Sequence, residues 1–294
     1  MNSYDHIAIL ITVYNRRQKT IDCLKRLHSQ QLKPLVRLEI FLTDDGSTDG
    51  TSEAVKEQFP DVKLYKGSGS LFWAGGMRFT WEKALASNAD FYLLINDDTL
   101  LTDHAIITLL SSVEKYTDPV ICVGSTVNEH TGKTSYGGSR LTSKTQWKSE
   151  KIEAPATATD CDFANANIML VPKYIVNSIG ILSKDYTHGL ADYDYTLKAK
   201  KAGFRVVVAP GFLGSCVDDH GNNWKGDKLP LKERIKYLKS PKGLAYHEYL
   251  LFIRRHFPLS YPVAFLKLWL KTFFPFLWDA FKNNSPANPS ILNR

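Results

Sequence analysis

What this 294-residue chain lacks narrows its chemistry first. Its four cysteines, Cys23, Cys122, Cys161 and Cys216, lie far apart, and no two form a Cys-x-x-Cys pair. A structural zinc cluster or a dithiol redox motif is therefore unsupported, and buried free thiols in a reducing compartment are expected. No basic segment followed by a long apolar stretch and a cleavage site opens the sequence, so no export signal is read and a cytoplasmic location is expected. Internal repeats, low-complexity tracts and nucleic-acid recognition motifs are absent. The net charge of +7 is modest for a surface that tracks a nucleic-acid backbone, and nucleic acid is not expected as a partner. An anionic nucleotide or the anionic face of a membrane accounts for that charge at least as well. With 44% hydrophobic and 23% charged residues, the chain has the composition of an ordinary globular protein rather than a disordered one.

What is present begins with Ile95-Asn96-Asp97-Asp98, which follows the apolar run Phe91-Tyr92-Leu93-Leu94. This reads as a buried strand ending in two adjacent carboxylates. In open α/β sheets, ligands collect at the carboxyl ends of the strands. No lysine or arginine flanks the pair in sequence, so mutual repulsion calls for a cation, typically a hard ion holding phosphate oxygens. The alternative is a turn that caps a helix starting near Thr102. A second acidic strand end argues against that alternative. Residues 7–13 form a strand-like run before Tyr14-Asn15-Arg16-Arg17, and Ile21, Leu24 and Leu27 then mark a helical stripe. Residues 38–43 form a further strand ending in Asp44-Asp45-Gly46-Ser47-Thr48-Asp49, with a helix from about Thr51. Strand, helix, strand, helix is the rhythm of a parallel sheet. Strands are expected near 7–13, 37–43, 62–66, 91–95 and 120–126, with a hairpin region around 131–147 and a loop over 153–159.

Together, Thr12-Val13-Tyr14-Asn15, Thr43-Asp44-Asp45-Gly46-Ser47-Thr48-Asp49 and Asn96-Asp97-Asp98 resemble the family 2 glycosyltransferases of the GT-A fold. Three later segments fit the same resemblance in order: Phe72-Trp73-Ala74-Gly75-Gly76-Met77-Arg78, Ala191-Asp192-Tyr193-Asp194-Tyr195 and Lys200-Lys201-Ala202-Gly203-Phe204-Arg205-Val206. The likeness spans roughly residues 5–220. It departs from the family at Ala191, where an acidic residue is usual, and at Asn96, which takes the first place of an Asp-x-Asp pattern. The resemblance implies an α/β fold with a Rossmann-like, mostly parallel sheet flanked by helices, over residues 1–225. Residues 226–294 would form a helical, amphipathic extension.

By the same resemblance, the chain would be an inverting, metal-dependent glycosyltransferase of surface polysaccharide synthesis, of hexosyl or rhamnosyl type. Thr12, Tyr14 and Asn15 would border the nucleoside, and Asp45 would accept from the base, which favours a UDP- or dTDP-linked donor. Arg78 or the backbone near Gly75 and Gly76 would meet phosphate, and Asp97 the ribose or the metal's waters. Asp98 would ligate Mg²⁺ or Mn²⁺, with His220 as a further ligand. Asp192, in the first turn of a helix ending at Gly203, would be the general base, while Asp194 points away. Trp73 is either a sugar platform or a core residue.

The C-terminal segment is different in character. Tyr261 to Trp278 is largely apolar and aromatic but contains Lys267, Lys271 and Pro275. The two lysines are four apart and so share one helical face. A helix lying in the bilayer interface, with lysines reaching outward, is the favoured reading. The alternative is packing on the catalytic domain or in a homodimer contact. A peripheral position on the inner membrane face would suit a lipid-linked glycan acceptor. Two other functions compete: a sugar-nucleotidyltransferase, which would carry a glycine-rich, arginine-containing loop where Thr12-Val13-Tyr14-Asn15 stands, and a non-catalytic, membrane-associated sugar-binding protein.

Overall fold

The computed structural model describes residues 5–217 and 229–276. The first half alternates as expected: β1 (Asp5–Val13), α1 (Arg17–His28), β2 (Val36–Asp44), α2 (Thr51–Gln58), β3 (Lys63–Lys66), α3 (Phe72–Ala84) and β4 (Phe91–Ile95). Strand β1 pairs in parallel with β2 and β4, and β2 pairs in parallel with β3. Next come β5 (Leu100–Leu101), α4 (Ala105–Val113), β6 (Val120–Val127), β7 (Thr134–Tyr136), β8 (Gly138–Leu141), β9 (Ser149–Lys151), β10 (Thr159–Asp160) and β11 (Phe163–Ala164). The order closes with β12 (Ile168–Pro172), α5 (Lys173–Ile179), α6 (Ala191–Lys201), β13 (Arg205–Ser215), α7 (Leu231–Lys239), α8 (Tyr246–His256) and α9 (Tyr261–Phe273).

The main sheet runs β10-β13-β6-β12-β4-β1-β2-β3, and β11-β8-β9 form a small second sheet. Strand β12 is inverted. It lies antiparallel between β4 and β6, with Ile168 opposite Ile95. Its amino end, led by Asn165 and Asn167, therefore stands at the edge where β4 delivers its carboxylates. Asn96 N–H donates to the Asn167 carbonyl there at 3.3 Å.

The unbroken apolar run of β1 is explained by burial on both faces. Ala8 and Leu10 enter one core with Met77 and Trp81 of α3, while Ile7, Ile9 and Ile11 enter a second with Ile21, Leu24 and Leu27 of α1. The stripe read from α1 is the face it buries.

Helices α7–α9 share the first of these cores. Leu238, Phe252, Ile253, Phe257 and Leu268 belong to the same cluster as Leu94, Met169 and Tyr193. Trp147 joins them, with its ring 4.9 Å from Phe252 and 4.7 Å from Phe163. Thus α9 packs one face on the protein and leaves Val263, Leu266, Phe273 and Phe274 exposed. Lys267 is exposed, but Lys271 is only 5% exposed, so the expectation that both lysines reach outward fails for Lys271. It sits on the inward side with Leu268 and Thr272. Among the described residues, no helix is long and apolar enough to cross a membrane.

Candidate active site

The carboxyl ends of β1, β2 and β4 meet the lead-in to β12 and the start of α6 around a cavity of about 430 Å³. Thr12, Tyr14, Asp45, Asp97, Asp98 and Asp192 line it, together with Arg16, Trp73, Asn96, Asn165, Asn167, His188 and Lys242. Residues from 12 to 242 in sequence thus share one space. Asp98 and Asp192 stand on walls of the same cleft.

The acidic corner does not cap a helix. Helix α4 begins at Ala105, with His104 at its N-cap and no side-chain capping bond, well beyond Asp98. The carboxylates instead face a cation from the chain itself. Arg16 Nη1 donates to Asp98 Oδ2 at 2.6 Å and approaches Asp97 Oδ1 at 3.4 Å, while Lys19 Nζ lies 4.0 Å from Asp98. The expectation of a pair without lysine or arginine beside it is corrected here. The β1–α1 loop supplies what local sequence does not. Asp97 is 6% exposed, and its Oδ2 is buried with no hydrogen-bond partner. Burial, with Asp98 adding to it and Arg16 opposing it, pushes the Asp97 pKa up to about 7. Asn96 faces Trp73, whose indole Nε1–H donates to Asn96 Oδ1 at 2.8 Å. Trp73 both lines the cavity and packs against the core.

Asp45 organises another part of the cavity wall. Its Oδ1 accepts from Gly69 N–H at 2.8 Å, and its Oδ2 accepts from Leu71 and Phe72 N–H at 2.8 and 3.1 Å. The carboxylate thereby holds the loop into α3 in place, including Phe72 at φ 54°. Asn15, at φ 52°, staples two loops: its Oδ1 accepts from Thr48 N–H at 2.7 Å, and its own N–H donates to Ser47 Oγ at 2.9 Å. It does not line the cavity.

Two residues expected at phosphate make other contacts in this structure. Arg78 Nη1 donates to the Ser183 and Tyr186 carbonyls at 2.9 and 3.3 Å, tying down the loop before α6. Gly76 is where α3 touches β1: a Cβ there would lie 2.1 Å from Thr12 Oγ1. Its contribution is close helix–strand approach. Neither residue lines the cavity. His220 lies outside the described residues.

Asp192 sits in the first turn of α6 and is 8% exposed. Its Oδ1 accepts from Tyr193 N–H at 2.9 Å and its Oδ2 from Ala166 N–H at 3.2 Å. Asp194 turns the other way, 1% exposed, into contacts with Tyr186, Arg255 and His256. Sequence reasoning gave no role to Arg16, Asn165, Asn167 or Lys242. Arg16 carried a weak signal, being next to Asn15 at a strand end. Lys242 carried none, because only the packing of the C-terminal helices brings it to the cavity.

Residues 8–168 match the sequence model described as Glycosyl transferase family 2. A curated relative in Mycoplasma pneumoniae, the uncharacterized glycosyltransferase MG060 homolog, is 30% identical over 114 residues, which is 37% of this chain and 37% of that protein. The chain thus matches little more than a third of that relative's length. Among solved structures, the S. aureus TarS 1-349 in complex with UDP has a TM-score of 0.61 at 13% identity, covering 95% of this chain and 92% of that one. The mannosyltransferase PcManGT from Pyrobaculum calidifontis, in complex with GDP-Man and Mn²⁺, has a TM-score of 0.52 at 18% identity, covering 97% and 77%. Two-faced sheet, acidic strand ends and family match agree: the chain adopts the GT-A fold and belongs to glycosyl transferase family 2.

Proposed function

We propose that this cavity transfers a sugar from a nucleotide-diphosphate donor to an acceptor hydroxyl, inverting the anomeric centre. The observation that carries the reading is that Asp98 and Asp192, nearly a hundred positions apart, wall one cleft. A fold relative bound to GDP-Man and Mn²⁺ and another bound to UDP support a nucleotide-sugar as donor. UDP or dTDP is the favoured nucleotide. Thr12 and Tyr14 border the nucleoside. Asp45 holds the neighbouring loop and retains lone pairs that can accept from a base N–H.

Mg²⁺ or Mn²⁺ fits the acidic corner. The donors are hard carboxylate oxygens, and the partnerless, buried Asp97 Oδ2 gains from a nearby cation. Asp98 would hold the ion directly, with Asp97 beside it. When bound, the metal offsets negative charge on the departing diphosphate. Asp192 takes the proton from the acceptor hydroxyl as that oxygen attacks the anomeric carbon, and the nucleoside diphosphate leaves from the opposite face. Two backbone N–H groups keep the Asp192 carboxylate oriented.

The acceptor we favour is a lipid-linked glycan of surface polysaccharide synthesis, reached at a membrane surface. Residues 229–276 carry nine lysines and arginines against Glu233 and Glu248, and the exposed apolar face of α9 lies among them. Basic charge around an apolar helix face is what an anionic interface attracts.

The test is to incubate the purified protein with UDP-, dTDP- and GDP-sugars, with and without Mn²⁺, and to follow nucleotide release and melting temperature. Mn²⁺-dependent release from one donor is expected. A donor at about 100 times its Kd should add about 2.7 kcal/mol of stability. Release from none of the donors under any metal condition would overturn the proposal.

A further inference from the structure

Residues 192–194 are held from behind by a helix outside the stretch that matches the family. Asp192 lines the cavity. Tyr193 packs edge-on against Phe163, with ring centroids 4.9 Å apart, and stands 5.9 Å from Trp147, whose ring also meets Phe252 and Phe257 of the C-terminal segment. Asp194 Oδ1 accepts three hydrogen bonds: from Tyr186 Oη–H at 3.0 Å, Arg255 Nη1 at 2.9 Å and His256 Nε2 at 2.8 Å. Arg255 reaches further, donating from Nη2 to Asp185 Oδ2 at 2.7 Å. One guanidinium thus ties the loop before α6 to its first turn. Just ahead of Asp192, Leu190 has φ 66°, a left-handed conformation costly for a β-carbon residue. Such a backbone persists only where surrounding contacts over-determine it.

We infer that α8 sets the position of the catalytic carboxylate, with Arg255 and His256 as positioning residues for Asp192 acting through Asp194. The role assigned to Asp192 rests on the proposed transferase reading; the mechanical link does not. Because Asp194 is an ionised acceptor, the proton of His256 resides on Nε2, while its Nδ1 is buried without a partner. This neutral imidazole is therefore a donor into the α6 turn, and burial keeps it from charging. Removing that donor leaves Asp194 with two partners and a void of bonding on the α8 side. The turn then relaxes towards the cavity or away from it, and Asp192 moves with it. Misplacement of a reacting group by about 1 Å can cost about 10²-fold in rate.

Three variants isolate the effect. His256→Phe keeps the ring volume beside Phe252 but removes the donor, whereas His256→Gln keeps a neutral donor. Arg255→Met, at an exposed position, is the further probe should His256→Phe fail to fold. Each is measured for kcat, donor KM, melting temperature and hydrogen exchange at amides 191–195. His256→Phe and Arg255→Met are expected to lower kcat by about tenfold or more, at unchanged donor KM. Exchange should quicken at 191–195 while β1 and β4 stay protected, and His256→Gln should recover most of the rate. Unchanged exchange at 191–195 in folded His256→Phe or Arg255→Met would overturn the inference, and so would a KM increase at constant kcat. If the wild-type protein releases no nucleotide from any donor, the transferase reading falls alone, because exchange still reports the clamp.

Discussion

Replacing Asp192 by asparagine separates chemistry from architecture most cleanly. The side chains are nearly isosteric, and the amide oxygen can still accept one of the two backbone bonds now made to Tyr193 and Ala166 N–H. The amide NH₂ then faces the other N–H, leaving one donor unmet at a cost of about 1–3 kcal/mol. For a chain of this size, that corresponds to a melting shift of roughly 2–4 °C per kcal/mol, so the variant should remain folded. Loss of a general base typically removes about 10²–10⁴ in rate. That is about 2.7–5.4 kcal/mol at the barrier, from 1.36 kcal/mol per tenfold. Transfer should therefore collapse. Nucleotide affinity, which the proposed function assigns to β1, β2 and the acidic corner, should hold. Steady-state transfer assays paired with calorimetric nucleotide binding provide the check. A turnover within a few-fold of wild type, with binding intact, would refute the base assignment.

Other perturbations test other parts of the structure. Gly76→Ala places a carbon 2.1 Å from Thr12 Oγ1, so α3 must shift; overpacking of this kind costs about 1–3 kcal/mol, read as a lower melting temperature and weaker nucleotide binding. Leu266→Asp and Phe274→Asp, at residues 65% and 48% exposed, should leave melting unchanged but abolish co-sedimentation with anionic lipid vesicles; retained binding would remove the membrane proposal. Acidification should loosen the α6–α8 contact. Burial lowers the His256 pKa, and at Asp194 the hydrogen bonds from His256 and Arg255 outweigh burial to lower that pKa too. Both depressed values give stability that is present above the unfolded pKa, about 6.5 for histidine and about 3.9 for aspartate, and is lost as pH falls through the folded value. Thermal melts should therefore decline below about pH 6.5, and His256→Phe should flatten the upper part of that decline; a parallel curve for the variant would contradict it.

Much of the first half of the chain could be read directly. The runs at 7–13 and 91–95 are apolar because β1 and β4 are covered on both faces, and polar residues, Tyr14-Asn15 after the first and Asp97-Asp98 after the second, follow where the strands emerge. Local turn chemistry also made the starts of α2 and α6 visible. Those signals do not reach contacts between distant segments. Sequence spacing does not say that Arg16 reaches Asp98 or that Arg78 reaches the Ser183 and Tyr186 carbonyls.

The order of strands and helices, and the carboxylates at their ends, were therefore determined by the chain's own hydrophobic pattern, a local property that repeats every two or 3.6 residues. Tertiary structure alone decided that β12 runs backwards beside β4 and brings Asn165 and Asn167 to the site. It alone decided that α8 grips Asp194 from behind Asp192. Those contacts join residues dozens of positions apart through shape and buried charge, and no periodicity along the chain encodes them.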